Sequence, residues 1–74
     1  MSRGGGMIKF DRLWDTMEKK NISTYYLREK CGIDSKTVRR LRANDNIETK
    51  TLDKICSALK CRLEDIAEFI EDSE

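Results

Sequence analysis

Residues 23–42 read STYYLREKCGIDSKTVRRLR and place two short helical patterns on either side of one glycine. Ser23 is expected to cap the first helix, in which Leu27 and the cysteine four positions later share one face. Gly32 supplies the positive φ that turns the chain, and Asp34 caps the second helix. Two helices joined by so short a turn cross steeply, so the stretch predicts a helix-turn-helix.

The second of these helices carries a basic outer face. At about 100° per residue, Val38 and Leu41 point inward while Lys36 and Arg40 point away from them. No acidic residue interrupts residues 35–42. Such a helix fits the major groove of B-DNA, where Arg and Lys donate hydrogen bonds to guanine. The candidate base contacts are Ser35, Lys36, Arg39 and Arg40.

A solvated helix face has the same composition, and the four bases alone favour neither interpretation. Their position favours DNA, because the second helix after the turn is the one that enters the groove. Polar groups around that helix are expected to bind phosphate, although Tyr25 is equally consistent with an ordinary surface aromatic. The candidate phosphate contacts are Thr24, Tyr25, Arg42, Asn44, Asn46 and Lys50.

The rest of the chain predicts further helices. Apolar residues spaced by three and four positions predict a first helix over residues 8–20 and a fourth over residues 49–59. A last, acidic helix is expected from Leu63 to near Asp72, and its Phe69 and Ile70 are candidate dimer contacts. No stretch shows the alternation of a β-strand, so the predicted fold class is all-α.

The two ends of the chain differ in composition and charge. Residues 1–6 read MSRGGG and are expected to be a disordered arm or a cloning scar, which leaves residues 7–74 as the domain. The net charge is only +1, but the residues before Glu64 hold 15 basic and 8 acidic side chains. This asymmetry is typical of a surface that binds polyanions.

Composition excludes several classes of function. Of the 74 residues, 39% are charged and none is proline, which fits a small helical domain. No apolar run could span a membrane, and the odd count of three cysteines favours the reducing cytoplasm. With no histidine, these cysteines cannot complete a four-ligand zinc site. We expect no metal, cofactor or small-molecule ligand, and no enzymatic activity.

Residues 22–70 resemble the helix-turn-helix domain of phage-repressor and Cro-type (XRE-like) transcriptional regulators. The resemblance lies in Ser23-Thr24, Leu27, the Gly32-Ile33 turn, Thr37-Val38, Leu41, and the segments TLDKICSALKC at residues 51–61 and LEDI at residues 63–66. It implies a five-helix orthogonal bundle of the lambda-repressor type. It also implies base contacts at Ser35, Lys36 and Arg40, with Thr24 near a phosphate.

The sequence departs from this family at three places. Arg28 stands where the family prefers a small residue, usually alanine, so either helix two is expected to shift slightly or the stem of Arg28 is expected to lie over the neighbouring helix. Tyr26 replaces the Glu or Gln that would complete a capping box. Asn44-Asp45 replaces the common Asn-Gly after the third helix.

The sequence thus predicts a sequence-specific DNA-binding regulator of bacterial or phage type, in the role of a repressor. A single small domain covers little DNA, so a homodimer on two half-sites is expected. The alternative is a protein-interaction module, such as an antitoxin-like or anti-repressor-like partner, whose basic helix binds an acidic protein. The near-neutral net charge favours that alternative.

Overall fold

Four α-helices and a short two-stranded ribbon form the part of the chain that the computed structural model describes, residues 6–71. The elements are β1 (Gly6–Lys9), α1 (Asp11–Lys19), α2 (Thr24–Lys30), α3 (Ser35–Arg42), α4 (Thr49–Leu59), a 3₁₀ turn (Leu63–Asp65) and β2 (Glu68–Glu71). The strands β1 and β2 pair antiparallel, with Ile8 opposite Phe69. The fold is therefore mostly helical, and the predictions of five helices and of a purely all-α chain are wrong.

Each helix contributes a fully buried side chain to the core, and so does the segment after the 3₁₀ turn. These residues are Leu13, Leu27, Leu41, Ile55 and Ile66. Burying a side chain of this size contributes about 1.5–3 kcal/mol, so the core depends on all five segments together. The remaining buried residues, Phe10, Met17, Ile33, Val38 and Leu59, surround them. The last segment therefore belongs to the core even though it is not a helix.

The helix-turn-helix forms as the sequence predicts. The Ser23 hydroxyl accepts a hydrogen bond from the Tyr26 N–H at 3.3 Å, which caps α2. Asp34 caps α3 in the same way, since its Oδ1 accepts from the Thr37 N–H at 2.9 Å. Gly32 between the helices has a φ of +69°. This left-handed conformation favours glycine and redirects the chain within a few residues.

The first helix is shorter than predicted. It begins at Asp11 rather than Ile8, because Ile8 pairs in β1 and Phe10 takes the N-cap position. No side chain of α1 caps this end; instead the Phe10 N–H donates to Asn44 Oδ1 at 2.7 Å. The cap comes from a residue 34 positions away, which the local sequence pattern could not indicate.

The predicted last helix is replaced by the 3₁₀ turn and β2. A helix over this acidic segment would place Glu64 beside Glu68 and Glu68 beside Glu71, and like charges at these spacings are destabilising. Acidic residues would also lie at the negative, carboxyl end of the helix dipole. Pairing with residues 6–9 avoids both the repulsion between these acids and the unfavourable helix dipole, and it provides hydrogen-bond partners for backbone groups of β2. Gly6, which the sequence analysis placed in the arm, is the first residue of β1, while residues 1–5 lie outside the described part of the chain.

Contacts with α1 hold the final segment in place. Arg12 donates from Nη1 to the Glu64 carbonyl at 3.0 Å, and its Nη2 lies 3.0 Å from Glu68 Oε1. Thr16 Oγ1 donates to the Asp65 carbonyl at 2.6 Å. Among residues 6–71, no helix has the length and apolar character needed to cross a membrane.

Candidate nucleic-acid interface

The outer face of α3 presents the predicted base-contact residues together. Val38 and Leu41 are buried in the core, whereas Ser35, Lys36, Arg39 and Arg40 are all exposed. Because Lys36 and Arg40 are one helical turn apart, their side chains project from the same face. We call the exposed line of Lys36 and Arg40, with Ser35 and Arg39 beside it, the ridge of α3. This ridge has the charge and the dimensions of a helix that enters a major groove.

No basic residue of this ridge forms an ion pair within residues 6–71. The two ion pairs found within residues 6–71 are Arg12 with Glu68 and Arg62 with Glu64. Neither involves a base of α3. Cations that the fold leaves unpaired on one helix are available to phosphates and base edges.

Asp34 is the one acid at the start of α3, and it is occupied by the helix cap. Its pKa lies below the ordinary value, chiefly because its carboxylate is hydrogen-bonded to Thr37, through both the side chain and the backbone of that residue. The charges of Lys36 and Arg40 lower this pKa further. Asp34 is therefore ionised at neutral pH and holds the first turn of α3 in place.

A polar groove beside α3 contains one predicted phosphate contact, Asn46, and one predicted base contact, Arg40. It lies between α3 and the start of α4 and is lined by Thr37, Arg40, Asn46, Ile47, Glu48 and Thr51. Arg40 and Asn46 thus lie on one surface, with Lys50 exposed in the first turn of α4 close by in the chain. At the start of α2, Thr24 is half-buried and Tyr25 is 63% exposed.

Two of the predicted phosphate contacts make structural interactions within the protein. Asn44, with a φ of +57°, uses Oδ1 to cap α1 at Phe10. The Arg42 guanidinium carbon lies 4.6 Å from the centre of the Trp14 ring, a cation–π contact between α3 and α1. Because Arg42 lies about 200° around the helix from Arg40, it does not extend the ridge.

The sequence alone assigned Arg28 no functional role. Its Nη1 lies 3.4 Å from the Ser35 hydroxyl oxygen, so the side chain crosses from α2 to the first residue of α3. The expectation that its stem lies over the neighbouring helix therefore agrees with the contact observed. The feature of the sequence that indicated this contact was a large basic residue at a position where the family has a small one.

The three cysteines are free thiols that pack at the edge of the core. Cys31, Cys56 and Cys61 are half-buried thiols, and burial is the main cause that raises the pKa of each. A raised pKa keeps a thiol protonated and poorly reactive at neutral pH. Over residues 6–71, no group of three or more potential ligands is arranged to hold a metal ion.

The chain matches a known family of DNA-binding domains. The family model of the Cro/C1-type HTH DNA-binding domain matches residues 12–72, which is most of the chain. The chain belongs to this family.

One solved structure is similar over nearly the whole chain: the crystal structure of the transcriptional regulator VanUg, form II. The two sequences are 26% identical, the TM-score is 0.85, and the match covers 97% of this chain and 96% of that one. No curated protein matches the chain in sequence. Family and structural neighbour agree on a DNA-binding transcriptional regulator.

Proposed function

We propose that the protein is a sequence-specific repressor that inserts α3 into the major groove of duplex DNA. The observation that carries the proposal is the exposed ridge of Lys36 and Arg40, with Ser35 and Arg39 beside it and no acidic partner within residues 6–71. In this proposal Ser35, Lys36, Arg39 and Arg40 contact base edges, the chain acts in the cytoplasm, and no catalytic step is involved. The structural likeness to a transcriptional regulator supports it.

Phosphate contacts would fix the position of α3 on the duplex. We assign these contacts to Thr24 and Tyr25 on one side of the ridge and to Asn46 and Lys50 on the other. Arg42 and Asn44 would contribute only through groups that their contacts with Trp14 and Phe10 leave available. Side chains that reach phosphate set the register of a helix but do not read the sequence.

We further propose that the protein binds DNA as a homodimer through the ribbon of β1 and β2. Phe69 is 60% exposed and Ile8, its partner across the ribbon, is 54% exposed. Successive side chains of a strand point to opposite faces, so Met7 and Ile70 form the other face. Two copies joined here would have to place their α3 helices about 34 Å apart to occupy successive turns of B-DNA.

The dimer is tested by measuring the sedimentation of the wild-type chain and of two variants, Phe69→Ser and Ile70→Ser. These substitutions remove apolar surface from opposite faces of the ribbon. Loss of the dimer in one variant would identify the face that pairs. A monomeric wild type, even on DNA, or two variants that dimerise like the wild type would exclude the ribbon as the interface.

Selection of bound duplexes from a random pool tests the main proposal. We expect an enriched palindrome with two half-sites, and Arg40→Ala should relax the preference at one base-pair position per half-site. The matched control is Arg62→Ala, which also removes an exposed base, one that pairs with Glu64 near the acidic end. Enrichment that is absent, or equally altered by the control, would contradict sequence-specific binding by α3.

The near-neutral net charge of +1 favours a second candidate function, that of a protein-interaction module that binds an acidic partner through the same ridge. An antitoxin-like or anti-repressor-like role would fit this description. Such a module would show no enrichment in the duplex selection, yet it would still lose its partner when Lys36 or Arg40 is replaced. The selection therefore separates the two candidates.

A further inference from the structure

Arg28 occupies an unusual place for a cation. It is exposed on the last turn of α2, and its guanidinium lies against Ser35, the first residue of α3. The amino end of a helix carries a partial positive charge, so a cation there is unfavourable in the isolated protein. No carboxylate within residues 6–71 forms an ion pair with Arg28. The carboxyl end of α2 favours a cation at Arg28 and the amino end of α3 opposes it, so the helix dipoles alone do not account for this position.

The contact with Ser35 has a consequence for hydrogen bonding. A serine hydroxyl has one hydrogen to donate and an oxygen that accepts. Because Arg28 Nη1 donates to that oxygen, the hydroxyl hydrogen remains available to an acceptor outside the protein. Arg28 uses one of the five N–H donors of its guanidinium here, which leaves the others for an anion at the same end of α3.

We propose that Arg28 is a further DNA-contacting residue, which neutralises a phosphate at the edge of the groove while it orients the Ser35 hydroxyl as a donor to the DNA. A phosphate is the expected target because the first helix of this motif crosses the DNA backbone. The inference rests on the proposed function and adds a residue of α2 to the surface of α3.

The test compares Arg28→Ala with Lys30→Ala. Both substitutions remove one exposed base from α2, but Lys30 lies about 200° around the helix from Arg28. The probe is a labelled duplex of about 20 base pairs, two turns of B-DNA, titrated at several salt concentrations. Arg28→Ala should weaken binding about tenfold, the size of one charge-assisted hydrogen bond. It should also reduce the magnitude of the salt slope by about 0.9, the value for one phosphate.

Two further measurements separate a DNA contact from a structural role. Arg28→Ala should melt close to the wild-type temperature, since the cation it removes is favoured by the carboxyl end of α2 and opposed by the amino end of α3. Arg28→Lys should keep the salt slope. The effects of Arg28→Ala and Ser35→Ala on affinity should be non-additive, because the two side chains act as one unit.

Each result has a distinct meaning. If Arg28→Ala matches the Lys30→Ala control in affinity and salt slope while Lys36→Ala weakens binding, Arg28 does not contact DNA and the proposed function stands. Additive effects of the Arg28 and Ser35 substitutions would overturn the orienting role. If the wild-type chain shows no salt-dependent binding, the proposed function fails and this inference with it.

Discussion

Asn44 Oδ1 accepts a hydrogen bond from the Phe10 N–H at 2.7 Å, so the loop that follows α3 is fixed to the beginning of α1. Asn44 also has a φ of +57°, a conformation that asparagine tolerates better than most residues. The backbone of Asn44 thus helps to close the carboxyl end of α3, while its side chain binds the N-cap residue of a second helix. The position of the ridge relative to the rest of the domain depends on this residue.

Replacing Asn44 should therefore destabilise the fold. Asn44→Ala leaves the partly buried Phe10 N–H without its acceptor, which costs about 1–3 kcal/mol in the free energy of unfolding. Asn44→Asp keeps the acceptor and should stay close to the wild type. Denaturant unfolding of the two variants measures the difference. Equal stability of the alanine and aspartate variants would show that the hydrogen bond is not what matters.

Gly32 provides a test of backbone conformation with little interference from packing. A Cβ added at this position would meet no heavy atom within 4 Å, so the φ of +69° is the main obstacle to a larger residue. Gly32→Ala should cost about 1–2 kcal/mol through left-handed strain, and Gly32→Asn should cost less. Thermal unfolding compares the pair. If asparagine were as costly as alanine, an unrecognised steric constraint would be responsible.

The contact of Arg42 with Trp14 predicts an effect on stability. Arg42→Gln removes the charge over the ring and should lower the free energy of unfolding by about 0.5–1 kcal/mol, as for an exposed cation–π pair. The same substitution in a Trp14→Leu background should have a smaller effect, because the ring is then absent. A double-mutant cycle measures this coupling. A coupling energy of zero would mean that the contact contributes nothing.

The cap of α3 predicts a dependence of stability on pH. The pKa of Asp34 is lowered in the folded chain from an ordinary value of 3.8, so its contribution is present at neutral pH. That contribution is lost as the pH falls below 3.8 and through the lower folded value. Asp34→Asn keeps an acceptor but cannot titrate, so its melting temperature should fall less steeply in acid. Parallel acid profiles for the two proteins would rule out this role of Asp34.

Sequence reasoning predicted the elements whose signals are local. The caps at Ser23 and Asp34 and the turn at Gly32 act within a few residues, and each is found where it was expected. The fourth helix also has its predicted limits, because the apolar spacing of residues 49–59 is regular. The outward direction of Lys36 and Arg40 follows from the same periodicity.

The features that were missed depend on contacts between distant residues. Phe69 and Ile70 fit a helical stripe as well as a strand, and the choice depends on a partner more than 60 residues earlier in the chain. The attachment of Arg12 to Glu64 and Glu68 likewise joins the two ends. Arg28 was recognisable as exceptional, but its contact with Ser35 required the crossing of two helices to be known.

DNA binding by the ridge of α3 is the claim on which the predictions about binding depend, and a fluorescence titration at two salt concentrations measures it. We predict that the wild-type chain binds with a salt slope near −0.9 for each phosphate neutralised. The variant with both Lys36→Ala and Arg40→Ala should retain the wild-type melting temperature and lose most of this binding. Binding that is absent at about 100 mM salt, or unchanged in the double variant, would contradict the claim.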